Sequence, residues 1–177
     1  MLINTPNGTI SIRQAQEADV SAFRELRLEA LQNHPEAFSS DYSLNLAKPL
    51  SEWSDRLQFQ QRGYTEMIYF AISSEKLIGM TGIVMGNSPK TEHGALIWGV
   101  YVQPHWRGFH IAEGLLTACV DWARTRVVKI VKLAVVTTNT SAIRCYTRLG
   151  FKVYGVEPQA LYHQETFYDE LLLSLST

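Results

Sequence analysis

Cysteine is scarce: the 177 residues contain two, Cys119 and Cys145. Each lies in apolar surroundings and no CxxC spacing occurs, which argues against a disulfide framework and against a thiolate zinc site. Charge of one sign is lacking too. Sixteen Lys+Arg face seventeen Asp+Glu, a net charge of -1, whereas a general nucleic-acid binder carries a basic excess. No charge block or polybasic run suggests a membrane-surface segment. No apolar stretch approaches the ~18 residues of a membrane span, and the opening MLINTPNGTISIRQ has neither the basic start nor the apolar run of a secretory signal. The five histidines (His34, His93, His105, His110, His163) form no HxxxH pair, so no metal site is expected. Repeats and linker-like tracts are absent. GxxxxGK[ST] and GxGxxG are missing as well, which argues against a P-loop nucleotidase and a dinucleotide-binding dehydrogenase.

What is present is apolar mass. With 46% hydrophobic and 11% aromatic residues, the chain can build a sizeable core, and its length fits one domain over 1–177. A cytoplasmic protein is expected. Thr9–Gln14 alternates as a half-buried strand does. Asp19 then reads as a helix cap, and Phe23, Leu26, Arg27, Ala30 and Leu31 keep a helical period up to Pro35. A loop over Phe38–Asn45 precedes a second helix, Leu50–Arg62, stopped by Gly63. Met67–Ser73, Leu77–Met85 and Ala95–Val102 predict three successive antiparallel strands. Ile111, Leu115, Ala118, Cys119 and Trp122 share one helix face. Lys132–Thr137 predicts a strand, Ser141–Leu149 a short helix ended by Gly150, and Phe151–Val156 and Thr166–Leu173 two last strands. This order is α/β (α+β) with a mixed sheet, not an alternating doubly wound one.

The chemistry concentrates in Trp98–Ala112, WGVYVQPHWRGFHIA. A strand ends at Gln103-Pro104, and Arg107-Gly108 leads straight into an amphipathic helix. Such a junction directs unpaired backbone N–H groups, at the positive end of the helix dipole, towards one point. That suits a phosphate or pyrophosphate. Gly108 allows close backbone approach, and Arg107 can add a charge-assisted contact. A plain turn accounts equally well for Arg-Gly alone.

A second segment raises the specificity: Asn139-Thr-Ser-Ala-Ile-Arg-Cys-Tyr-Thr-Arg-Leu-Gly-Phe. With RGFHIA and the element order, the chain resembles the GNAT superfamily of N-acetyltransferases. The resemblance spans the chain, its specificity lying in 98–151. It implies a mostly antiparallel mixed sheet flanked by helices, with a splay between the fourth and fifth strands where the pantetheine arm of acetyl-CoA lies. In that family a Q/R-x-x-G-x-G/A loop binds the pyrophosphate, and an N-x-x-A-x-x-x-Y-x-x-x-G-F segment adds cofactor contacts and often a catalytic tyrosine. Asn139, Ala142, Tyr146, Gly150 and Phe151 match. In the loop Arg107 and Ala112 match, but His110 replaces the usual central glycine.

By this resemblance the cofactor-binding residues are Val100, Tyr101, Val102, Arg107, Gly108, Phe109, His110, Ile111, Ala112, Asn139, Ala142 and Tyr146. Backbone groups of Val100 and Val102 would pair with pantetheine, a contact compatible with their being strand core. A strand N–H would face the thioester oxygen and stabilise the oxyanion. Tyr146 is the candidate catalytic residue, a phenol able to protonate the departing thiolate; packing between helix and sheet is its bland reading. Asn139 is either a cofactor contact or a helix cap. Cys145 reads as a buried hydrophobe before a nucleophile, so direct attack is favoured over ping-pong transfer. His110 either lines the pyrophosphate site or points to solvent. Glu29, Asp41, Glu92 and His163 are carried as possible bases without a choice. Phe38, Tyr42, Trp53, Tyr162 and Phe167 are grouped as acceptor-pocket aromatics. The implied function is acetyl transfer from acetyl-CoA to a primary amine, the acceptor a small molecule or peptide, with no nucleic acid, membrane or metal partner and a homodimer left open. The rival is a GNAT-fold module that holds acyl-CoA without turnover.

Overall fold

The computed structural model describes residues 1–58 and 65–177, with the helix backbone through 63. Among these residues the strands form one eight-stranded sheet. They are β1 (Leu2–Thr5), β2 (Gly8–Gln14), β3 (Glu66–Ser73), β4 (Lys76–Met85), β5 (Gly94–Val102), β6 (Ile130–Val136), β7 (Lys152–His163) and β8 (Thr166–Ser176). Their spatial order is β1-β2-β3-β4-β5-β6-β8-β7. Every neighbouring pair is antiparallel except β5 and β6, which run parallel.

The helices α1 (Val20–Asn33), α2 (Tyr42–Leu46), α3 (Leu50–Gly63), α4 (Ile111–Arg124) and α5 (Thr140–Arg148) cover the two faces. Alternation along β3 sorts its side chains. Ile68 and Phe70 join Phe23, Leu26, Trp53 and Leu57 of α1 and α3. Met67, Tyr69 and Ala71 join Leu115, Leu116 and Cys119 of α4. A strand buried on both faces loses its polar-apolar alternation, which is why Met67–Ser73 reads as a continuous apolar run.

The structure differs from the sequence reading at four points. The chain opens with an extra strand, β1, turned back through Pro6-Asn7 onto β2 with Thr5 opposite Gly8. The Thr5 hydroxyl donates to the Gly8 carbonyl and accepts from Asn7 N–H, which fixes the turn. The expected loop over Phe38–Asn45 contains α2, capped by Asp41, whose side chain accepts from Leu44 N–H. Asp19 stands before α1 but caps no N–H of it. Its carboxylate takes Gln16 N–H at 2.7 Å and a bidentate pair from Arg13 at 2.7 and 2.8 Å. The last two strands run beyond the expected Val156 and Leu173 to His163 and Ser176. How α3 ends at Gly63 lies outside the described residues.

Candidate active site

The site originates in a fork. β5 and β6 pair at Gly94–Ile130, Ala95–Val131 and Leu96–Lys132, and no further. Beyond that, residues 97–102 and 133–136 diverge. A cavity of about 790 Å³ fills the gap, and both diverging strand segments line it throughout. Those expected as the fourth and fifth strands are thus the ones that splay, counted here as the fifth and sixth.

β5 carries a bulge at the fork. Its register against β4 steps from Trp98–Gly82 to Tyr101–Met80, so Gly99 and Val100 face a single residue, Thr81. Gly99 has φ +66°, the left-handed conformation that glycine reaches at least cost. A bulge leaves backbone groups outside the ladder. Val102 is buried and Val100 half-buried, both packed in the α4-side core, and both line the cavity. Strand core and backbone display therefore coexist there.

At one end of the cavity α4 begins. No hydrogen-bond acceptor faces the backbone N–H groups from Gly108 to Ala112 among the described residues. They are the ready-made anion site of a helix N-terminus. Gly108 (φ +87°) and His110 (φ +60°, ψ +21°) are both left-handed, which gives the physical reason for a glycine at position 110. The His110 side chain is 72% exposed and its Nδ1 meets Glu113 Oε1 at 3.1 Å. It turns to solvent at the rim.

Arg107 is held by the protein itself. Its Nε donates to the Val102 carbonyl at 3.0 Å and its Nη2 lies 2.9 Å from His34 Nε2. The guanidinium sits over the Tyr101 ring, 5.8 Å from its centroid. The Tyr101 hydroxyl donates to Glu29 at 2.8 Å, and Gln103 Nε2 donates to the other Glu29 oxygen at 2.8 Å. Burial and that carboxylate push the Tyr101 phenol up to about 12.

The far wall is α5. Asn139 caps it, Oδ1 accepting from Ala142 N–H at 3.2 Å. Tyr146 is buried against Phe151 yet reaches the cavity. Its hydroxyl has no hydrogen-bond partner among the described residues, and burial, with Cys145 adjacent, pushes the phenol well above its ordinary value. Burial likewise pushes the Cys145 thiol up to about 12 and the Cys119 thiol higher still. Neither is a thiolate near neutrality, which disfavours both as nucleophiles.

Of the residues expected here, Val100, Tyr101, Val102, Arg107, Gly108, His110, Ile111, Ala112, Asn139, Ala142 and Tyr146 line the cavity. Phe109 does not, and packs instead on the core. Of the five aromatics, Phe38 alone lines it. Trp53 is core, and Tyr162 and Phe167 stack on each other, 4.7 Å between centroids, on the exposed β7–β8 hairpin. None of Glu29, Asp41, Glu92 and His163 lines the cavity; its carboxylates are Glu36 and Glu113. Glu113 also accepts from Arg148 at 2.6 Å. Burial acts to raise its carboxyl, but a backbone hydrogen bond, His110 and Arg148 together hold it below the ordinary value. Among the described residues no group of three His, Cys, Asp or Glu could hold a metal ion.

A mixed sheet forked between β5 and β6 and a helix start with unpaired N–H groups beside the fork are the fold features that the motif resemblance implies. The family described as Acetyltransferase (GNAT) matches residues 25–151, and the chain belongs to it. Among curated relatives, mycothiol acetyltransferase of Brachybacterium faecium is 26% identical over 147 residues, 81% of this chain and 41% of the relative. The chain thus spans under half of that protein. L-amino acid N-acetyltransferase AaaT of Escherichia coli is 26% identical over 151 residues, 82% of this chain and 85% of the relative. An acetyltransferase of the GNAT family from Streptococcus pneumoniae shares the fold, with a TM-score of 0.86 at 20% identity over 95% of this chain and 99% of that one. So does yncA of Salmonella typhimurium, solved with its cofactor acetyl-CoA, with a TM-score of 0.82 at 21% identity over 94% and 93% of the chains.

Proposed function

We propose that residues 1–177 act as one unit that transfers an acetyl group from acetyl-CoA to a primary amine by direct attack. The observation that carries this reading is the cavity in the β5–β6 fork, with unpaired N–H groups at one end and the Tyr146 hydroxyl on its wall. N–H groups of Gly108–Ala112 hold the pyrophosphate through charge and dipole. The unpaired edge of β5 beyond Leu96 takes the pantetheine arm as an added strand. An N–H freed by the Gly99–Val100 bulge faces the thioester oxygen, where negative charge grows as the amine attacks. The phenol of Tyr146, kept protonated by burial, gives its proton to the departing thiolate or holds it by a hydrogen bond. The amine arrives in its free form or loses its proton through water, since Glu29 is taken up by Tyr101 and Gln103. No nucleic acid, membrane or metal enters the scheme.

The test mixes the protein with acetyl-CoA and a panel of primary amines and follows free thiol and acetylated product. Thiol release matched by product supports transfer. Calorimetric binding of CoA without thiol release across a broad panel supports the holding module instead.

A further inference from the structure

Arg27 lies on the apolar face of α1 and is 5% exposed. A buried guanidinium ordinarily meets a carboxylate or several carbonyls. Among the described residues this one has a single hydrogen bond, Nη2 to the Ser40 hydroxyl at 3.2 Å, while Nε and Nη1 are buried with no partner. Its charged neighbour is another cation, Arg56. Arg56 has the Glu66 carboxyl nearby, and Arg27 has none among the described residues.

The position of the orphaned atoms gives them meaning. A Cβ placed on Gly99 would stand 3.4 Å from Arg27 Nη1. Gly99 is the bulge residue of β5 and lines the cavity, as does Phe38, whose ring the guanidinium covers at 4.7 Å. Nη1, one of the two free donors, therefore lies against the Gly99 backbone, and the guanidinium lies over the Phe38 ring, both of them on the cavity lining. A third buried donor without a partner, Trp53 Nε1, belongs to the same α1–α3 core. Nε and Nη1 are both N–H groups, so the partner they fit is an acceptor of hydrogen bonds, and beside two arginines it is an anion.

Resting on the acetyl-transfer reading above, we propose that the acceptor amine carries its own carboxylate, and that Arg27 binds that carboxylate beside Gly99, with Phe38 turning aside to admit it. The amine then stands next to the bulge while the carboxylate replaces the missing partner of Nε and Nη1. The substrate class is the free amino acid, not a lysine side chain or a peptide N-terminus, both of which lack a carboxylate at that distance from the amine.

The experiment compares matched acceptors on the wild-type protein with saturating acetyl-CoA. Phenylalanine, phenylalaninamide and phenethylamine, with the same triplets from leucine and glutamine, are scored by kcat/KM on the free-base amine. A site built around a buried polar partner rejects the analogue lacking it by a factor of ~10² or more. At least ~10²-fold preference for the acid is expected, expressed in KM, and Arg27→Gln should abolish it while leaving CoA affinity intact. N-acetylphenylalanine should likewise bind the CoA-loaded protein, and N-acetylphenethylamine should not. Turnover of the uncharged analogues as fast as of the acids overturns the carboxylate assignment and leaves acetyl transfer standing. A preference that survives in folded Arg27→Gln overturns the role of Arg27. Should Arg27→Gln not fold, the wild-type triplets and product binding decide alone. CoA binding with no thiol release from any amine overturns the transfer reading and this inference with it.

Discussion

Replacing Tyr146 by Phe removes one oxygen from the wall of the fork and leaves the ring against Phe151. The structure makes this variant informative because the hydroxyl has no hydrogen-bond partner among the described residues, so no internal bond is broken. A typical buried hydrogen bond contributes about 1 kcal/mol, and none is lost here, so stability should shift by less than about 1 kcal/mol. CoA affinity should stay within about twofold. Turnover should not. Loss of a general acid costs ~10²–10⁴-fold, equivalent to about 3–5 kcal/mol of barrier. The pH profile adds a second readout. Burial raises this phenol, and a group whose pKa is raised stays protonated until pH passes that higher value. An ordinary phenol titrates near ~10, so wild-type kcat should show no alkaline loss from Tyr146 below about pH 10. The assay is steady-state thiol release with the best acceptor from the panel, beside thermal melts and CoA calorimetry on both proteins. Wild-type kcat across pH in the variant removes Tyr146 from the mechanism. A parallel fall in stability and in CoA affinity shows instead that the residue is structural.

The other predictions are shorter. Asn139→Ala should cost about 1 kcal/mol through loss of the α5 cap, or roughly 2–4 °C in Tm for a chain of this size; Asn139→Ser should restore Tm, and a loss of CoA affinity in that capped variant would show a cofactor contact as well. Gly82→Ala puts a Cβ 2.2 Å from Trp98 Cε2, so Trp98 must leave its place on the cavity wall; a cost of about 1–3 kcal/mol is expected, with altered Trp fluorescence, and an unchanged melt and spectrum would refute the packing argument. His110→Gly removes a mostly exposed ring from a left-handed position, so calorimetry should find CoA affinity unchanged or improved and its pH slope untouched; a flattened slope would instead make the histidine a phosphate partner. For Asp19, burial pulls its carboxyl up but Arg13 and Gln16 N–H bring it below the ordinary value. A lowered carboxylate stabilises the fold above its unfolded value near ~4, and that contribution drains as pH falls through the lower folded value. Denaturant unfolding of wild type and Asp19→Asn should converge below that range, and a constant gap down to acid would refute it.

The residues differ in how much of this they declare. β3 and β4 are legible because burial on both faces forces uninterrupted apolar runs between turn residues, and β5 because its run stays apolar even where Leu96 is exposed. β1 escapes because it has few residues, yet Pro6-Asn7-Gly8 between Ile3 and Ile10 is turn chemistry that marks a hairpin. α2 escapes because its Leu44 and Leu46 are exposed, so it has no apolar face to show a period. RGFHIA and Asn139–Phe151 each act within a few residues of chain, and their places at the start of α4 and in α5 follow from local order. The contacts Arg107–His34 and Glu113–Arg148 join residues 73 and 35 apart, and nothing in local pattern pairs them. Arg27 is the intermediate case: its place on an apolar face is readable from the period, but its want of a partner is visible only once Gly99 and Phe38 surround it.

The fork also changes what kind of sheet this is. β1 and β7 are its outer edges, but past Leu96 the middle of the sheet has two more, one on β5 and one on β6. Edges are where foreign strands attach, and proteins usually blunt them with charge, proline or a covering loop. These inner edges run through apolar residues, Ile97, Val100 and Val102 on one side and Leu133, Val135 and Val136 on the other, and carry no charged residue. What stands over them instead is α4 and α5, whose residues line the gap. A central strand should therefore exchange its amide hydrogens as an outer one does until it is bound. Loss of the bound partner would then expose a surface suited to any extended chain thin enough to enter.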